Sequence, residues 1–129
     1  MKRSTQPVAL ITGASQGLGA YLAKEISQLG YAMVLHHRSG AARTARLARE
    51  IRNLGSPVLV VRADLSLPDS VDRLFREIRH RFGRLDLLIN NTGTYRPTPL
   101  LRTRADDWFA GLHSTCTATF LATQASLPL

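Results

Sequence analysis

A single cysteine, Cys116, stands in the whole chain. That excludes a disulfide framework and any cysteine-built zinc site, and makes a reducing cytoplasm the expected setting. Flanked by threonines in an apolar helical stretch, Cys116 reads as a small packed hydrophobe, not a reactive thiol. Long apolar runs are missing too. Nothing approaches the roughly 20 residues of a membrane helix, and the apolar run after Pro7 is too short for the core of a signal peptide. No membrane partner is therefore expected, and no metal site. Lysine is scarce, with Lys2 and Lys24 against fifteen arginines, and the net charge is +8. Arg43, Arg46, Arg49 and Arg52, then Arg73, Arg76 and Arg79, recur every third residue beside a separate apolar face, as on solvated amphipathic helices. Such stripes could neutralise phosphates, but no zinc-finger or RNA-binding signature accompanies them, so nucleic acid is not an expected partner.

What is present is an alternation. With 129 residues, 44% of them hydrophobic, the chain fits one domain spanning 1–129. A strand over 8–12 is followed by a helix carrying Leu18, Leu22, Ile26 and Leu29, which Gly30 ends. "YAMVLHH" is a second buried strand, and the next helix sets Leu47, Ile51 and Leu54 at helical spacing before Gly55. "VLVVRAD" is the third strand. A helix opening at "SLPDS" tolerates Pro68 in its first turn, buries Val71, Leu74, Phe75, Ile78 and Phe82, and stops at Gly83. "LDLLIN" is the fourth strand. Thr103 and Asp106 then read as a capping box for a last helix through Trp108, Leu112 and Phe120. Apolar strands alternating with amphipathic helices imply an α/β fold of the doubly wound, Rossmann type: a parallel sheet in the order 3-2-1-4, covered on both faces. Ligands bind such sheets outside the carboxyl ends of strands 1 and 4, where the winding reverses.

At the end of strand 1 the sequence is "VALITGASQGLG". Gly13 permits a tight turn, Gly17 lets a pyrophosphate approach the amides of a helix start, and Gly19 lets helix and strand pack closely. At the end of strand 4 the crevice is lined by "NNTG", Asn90 to Gly93. Thr12-Gly13-x-x-x-Gly17-x-Gly19, Asp64-Leu65 after strand 3 and Asn90-Asn91-Thr92-Gly93 after strand 4 together resemble the short-chain dehydrogenase/reductase family in order and spacing. The resemblance covers nearly the whole chain but only the first half of that family's domain. It implies that Gly13, Ser15, Gly17, Leu18 and Gly19 hold a dinucleotide's pyrophosphate, Asp64 and Leu65 its adenine, and Asn90 and Gly93 its adenosine ribose and the neighbouring backbone. Thr92 replaces the family's usual alanine.

Cofactor choice follows from charge. An acid after strand 2 would accept hydrogen bonds from an unmodified ribose and repel a 2′-phosphate. Here the strand ends in His37-Arg38-Ser39, where Arg38 offers a fork of donors and Ser39 a hydroxyl. The stretch "LHHRS" resembles the corresponding stretch of pteridine reductases, which use NADPH, so NADP(H) is the expected cofactor. The full-length form would reduce a carbonyl or a pterin-like ring.

The family's reaction is hydride transfer between nicotinamide and a carbonyl or alcohol. A tyrosine protonates the oxygen, a lysine four residues later depresses that tyrosine's pKa, and a serine polarises the carbonyl. Four residues after Tyr21, Tyr31 and Tyr95 stand Glu25, Leu35 and Pro99, so no catalytic residue is expected in this chain. Tyr21 and Lys24, three apart at the phosphate end, read as packing and surface residues. Thr115, seven residues after Trp108, aligns with the family's helical asparagine, and His113 beside it reads as a surface or packing residue. The expected protein is therefore the cofactor-binding half of a reductase, truncated after strand 4 and its helix; the alternative is a non-catalytic nucleotide-binding or interaction module. Strand 4 is then an edge, apolar except for Asp86, with self-association through it, or a partner supplying the next strand, as the consequence.

Overall fold

Four short aliphatic runs form the strands, β1 (Val8–Ile11), β2 (Ala32–His37), β3 (Val58–Arg62) and β4 (Leu87–Ile89). They belong to a computed structural model that describes residues 4–94 and 97–129; Lys2, Arg3 and Tyr95 lie outside the described residues. All pairs are parallel and the order is β3-β2-β1-β4, the doubly wound arrangement expected. Ile11 stands opposite Leu35 on one side and Ile89 on the other.

Because side chains alternate along a strand, each of β1 and β2 feeds two cores. Val8, Leu10, Ala32 and Val34 pack against α3 (Pro68–Phe82) and α5 (Ala118–Ser126). Ala9, Ile11, Met33 and Leu35 pack against α1 (Gly17–Gln28) and α2 (Ala41–Asn53). In α3 the expected face is the buried one: Val71, Leu74, Phe75, Ile78 and Phe82, each contributing about 1.5 to 3 kcal/mol by transfer from water. Pro68 opens that helix, and Gly83 closes it in the left-handed region (φ 69°) that lets its amide return to Arg79 O.

Below the sheet, Asp86 fastens the start of β1 to that of β4. Its Oδ2 accepts from Val8 N–H at 2.8 Å, while Arg84 grips the same carboxylate through Nε and Nη2 at 2.9 and 2.6 Å.

Several expectations are corrected. In α1 the buried face is Gly19, Ala23 and Ile26, while Leu18 and Leu29 are exposed. The helix meets the sheet through small residues as well as through Leu22 and Ile26, and a search for large apolar ones overlooks the small ones. In α2, Leu47 and Ile51 are buried, but Leu54 falls just past the last turn and is exposed. The last helix is not continuous: α4 (Ala105–Leu112) passes through a π turn, His113–Thr117, into α5. Its first turn is closed by Arg104 N–H donating to Asp107 Oδ2 at 3.3 Å, because the Thr103 hydroxyl is already bonded to Pro99 O. The wider π turn rotates the faces on either side of it. Ala118 and Ala122 are thereby turned inward, while Trp108, Cys116 and Phe120 are exposed. Cys116 is accordingly not the packed hydrophobe expected.

Candidate functional site

The carboxyl ends of the strands open into a crevice of about 460 Å³, bounded by the turn after β1, the end of β2, the loop after β3, residues after β4 and the π turn. It is built from four short connections, and each is held by bonds that the sequence dictates.

Thr12, 1% exposed, is the first fixture. Its hydroxyl donates to Ile89 O and accepts from the amides of Asn91 and Thr92 at 2.9 and 3.0 Å. Asn91 answers with its side-chain amide, donating to Thr12 O and Gly13 O at 3.1 Å each. The ends of β1 and β4 are thus sewn together by two side chains whose donors and acceptors match. Gly13 takes φ 64°, which turns the chain out of β1 toward α1. A Cβ on Gly19 would meet Gly13 O at 2.5 Å and collide with the Asn91 amide, so only glycine lets α1 start this close.

Gln16 precedes α1 with no side-chain cap, and no acid occupies the helix's first turn. The opening amides and the positive end of the helix dipole are therefore left for an anion in the crevice. Gly40 brings the next loop up to the turn, since a Cβ there would strike the Ser15 side chain.

Of the residues expected to contact a dinucleotide, Gly13, Ser15, Gly17, Leu18, His37, Arg38, Ser39, Asp64, Leu65 and Gly93 line this crevice. Gly19 and Asn90 do not. Gly19 lies behind the turn as a packing residue, and the Asn90 amide donates to Thr123 Oγ1 of α5 at 3.1 Å, which turns it from the crevice. Asp64 Oδ1 accepts from the Ser66 hydroxyl and amide at 2.6 and 3.0 Å. Those bonds, with Arg38 and His36 nearby, hold its carboxyl below the usual range, so it is ionised at neutral pH. The His37 ring is buried, with no hydrogen-bond partner at Nδ1, and burial followed by the Arg62 charge pushes its pKa down.

Thr12 and Asn91 belong to the expected motifs, and Asn91 was expected to line the crevice, but the bonds these two make were not foreseen, nor was any role for His36 or Gly40. Each fastens the walls, and His36 and Asn91 also line the crevice. The available signal was polar residues at the last inward positions of otherwise apolar strands, where a side chain must bond the loops. Elsewhere, Lys24 pairs with Glu50 of α2 at 2.8 Å and Tyr21 is exposed, the surface roles expected. His113 is exposed, and Thr115 stands 3.5 Å from where a Cβ on Gly93 would be, opposite the loop after β4. Among the described residues no group of three histidine, cysteine or acidic side chains could hold a metal, and no helix is long and apolar enough to cross a membrane.

Known proteins share this arrangement. The 3-oxoacyl-[acyl-carrier-protein] reductase of Synechocystis sp. is 34% identical over 125 residues, 97% of this chain and 51% of that protein. A reductase of the same name from Staphylococcus aureus is 28% identical over 120 residues, covering 93% of this chain and 49% of its own. A short chain dehydrogenase from Burkholderia cenocepacia, solved in complex with NADP, superposes with a TM-score of 0.91 at 31% identity over 98% of this chain and 52% of that one. The chain thus spans about half the length of these relatives. With the short chain dehydrogenase profile matching residues 7–129 as well, the chain belongs to the short-chain dehydrogenase family.

Proposed function

We infer that this chain is the NADP(H)-binding half of a short-chain reductase, whose full-length form transfers hydride from NADPH to a carbonyl or pterin-like substrate. One observation carries the reading: the cationic end of β2, Arg38, and the uncapped start of α1 face one crevice, and no acid follows β2. The donors fit the group. The α1 amides and Ser15 suit a pyrophosphate, Arg38 and Ser39 a 2′-phosphate, and His37, whose Nδ1 is unpartnered, lines the same crevice. Asp64 offers an ionised acceptor to the adenine amine, and Leu65 an apolar wall. Asn90 would have to leave Thr123 to reach a ribose. When bound, the dinucleotide supplies the hydride; these residues bind and orient it. The reductases among the relatives and the NADP complex of the Burkholderia cenocepacia protein support this assignment.

One or two charge-assisted hydrogen bonds to a 2′-phosphate are worth roughly 1.5 to 3 kcal/mol each before desolvation. NADPH should therefore bind more tightly than NADH in low-salt calorimetry, and Arg38→Asp should reverse the order. Equal affinities in the unmutated chain would remove Arg38 from the site.

The 129 residues contain no tyrosine followed four residues later by lysine, and Thr115 stands at the family's asparagine position. Thr115 at that position favours a second reading, a non-catalytic nucleotide-binding or interaction module. Stoichiometric NADPH oxidation with a diketone or pterin by a reductase-free preparation would exclude it.

A further inference from the structure

His36 is the least expected member of the crevice wall. It follows Val34 by two residues, so it shares that residue's side of β2, where the pattern asks for another aliphatic side chain. Instead an imidazole, 1% exposed, occupies the position. Both ring nitrogens are used. Gly13 N–H donates to Nδ1 at 3.1 Å, and Nε2 lies 3.0 Å from Ala63 O. A backbone amide can only donate and a carbonyl can only accept, so the ring must be neutral with its proton on Nε2. It forms a strut across three strand ends, from the glycine turn after β1, through β2, to the residue that follows β3.

We propose that His36 is the positioning residue of the glycine turn: its neutral Nε2–H tautomer holds the Gly13 amide in place, and the turn keeps its ligand-binding shape only while Nδ1 is unprotonated. The extension to dinucleotide affinity rests on the cofactor reading above; the effect on the turn does not.

The surroundings agree with a neutral ring. Burial is the largest influence on His36 and lowers its pKa, opposed by the Ala63 carbonyl; the neighbouring His37 adds to the lowering, and Asp64 opposes it weakly. Arg38, just after β2, and Arg62 on β3 are the further charges, facing Asp64 and His37 respectively. The segments 12–16 and 90–94, which bring the β1 and β4 walls to the crevice, carry no charged residue. No other cation or carboxylate on these segments therefore competes for the ring. Because the folded value lies below the ordinary 6.5, the stabilisation is complete above that pH and is lost as pH falls toward the folded value. Protonation would then set two donors face to face at Nδ1 and Gly13.

The test uses nitrogen-15 spectra of the full chain between about pH 8 and pH 5, with amide exchange read at Gly13. The expected result is a bare Nδ1 and a protonated Nε2 near neutrality, with Gly13 exchange accelerating in step with Nδ1 protonation. A proton on Nδ1 at neutral pH, or Gly13 exchange indifferent to the ring's titration, overturns the proposal. Two variants divide the strut. His36→Asn keeps an acceptor near the Nδ1 position, and His36→Gln keeps a donor near Nε2. Losing the Gly13 contact should lower both the exchange protection of Gly13 and the NADPH affinity by about tenfold in the Gln variant. The Asn variant should lie within about threefold of the parent and lose the acid-side decline in both measurements. Equal behaviour of the two variants overturns the proposal. If NADPH fails to bind the parent while Gly13 exchange still follows the ring, the strut stands and the cofactor reading falls.

Discussion

Thr12 shows how one hydroxyl can set the shape of a site it does not line. It is nearly isosteric with valine, and valine would suit a buried position at the end of "VALI" on hydrophobic grounds alone. Yet Thr12→Val would strip two amides, those of Asn91 and Thr92, of their acceptor, while Ile89 O would keep the Thr12 amide as its donor. Leaving such groups buried and unpaired should destabilise the chain by about 2 to 3 kcal/mol, read as a lower urea midpoint, with Thr12→Ser within about 1 kcal/mol of the parent. A valine variant as stable as the parent would show that water replaces the hydroxyl. The same residues mark the limit of what the sequence disclosed. Glycine spacing named the turn and the arginine at the end of β2, because those depend on local backbone demands and on charge. Thr12, His36 and Asn91 act on partners 23 to 80 positions away, and no local pattern encodes such pairings. The bond that Asn90 makes was hidden for the same reason. The motif placed Asn90 in the crevice, but the hydroxyl that claims its amide sits on α5, 33 residues on.

At the scale of elements, helices whose burial rests on large aliphatic residues at a regular period were legible, and α3 matches its expectation residue for residue. Where a helix approaches the sheet partly through glycine and alanine, as α1 does, some of the large residues point elsewhere: Leu22 and Ile26 pack on the core as expected, but Leu18 and Leu29 do not. The π turn was invisible, since one extra residue in a turn leaves no mark on composition while shifting every later side chain around the axis. Strand alignment has its own device in Asp86, the lone acid of "LDLLIN". Its carboxylate satisfies Val8 N–H, a donor at the first position of β1, and is steadied by the Arg84 fork. Asp86→Ala should therefore destabilise the chain by about 1.5 to 3 kcal/mol, whereas Asp86→Asn, which keeps an uncharged acceptor, should lose less. Arg84→Ala should be the mildest of the three in the same thermal melts, because it removes the support and leaves the bond to Val8. The reverse ranking would mean that the ion pair, not the backbone bond, holds the strands in register.

For the molecule as a whole, the sheet order leaves two outer strands, and they are finished differently. On β3, Pro57 O is directed at Met33 N of β2, so the carbonyl of Val58 faces outward, and Arg52 donates to it at 3.1 Å. A guanidinium over the edge blocks the approach of another strand. On β4, Leu87, Leu88 and Ile89 are all half-buried aliphatics, and β1 is its one strand neighbour among the described residues. An apolar, uncharged edge of this kind is a template for a further strand. Association of the isolated chain is accordingly expected through β4 and not through β3. Sedimentation over a concentration series should show it, and Leu88→Lys should weaken it by placing a charge beside the edge. Leu88 also touches the core formed with α3 and α5, so circular dichroism must confirm that the variant is folded, with Leu87→Lys on the opposite face as the second probe. A chain that stays monomeric at every concentration, indifferent to both substitutions, would mean that this edge is closed by its own loops, and association would then have to be sought on the exposed Trp108 and Phe120 surface instead.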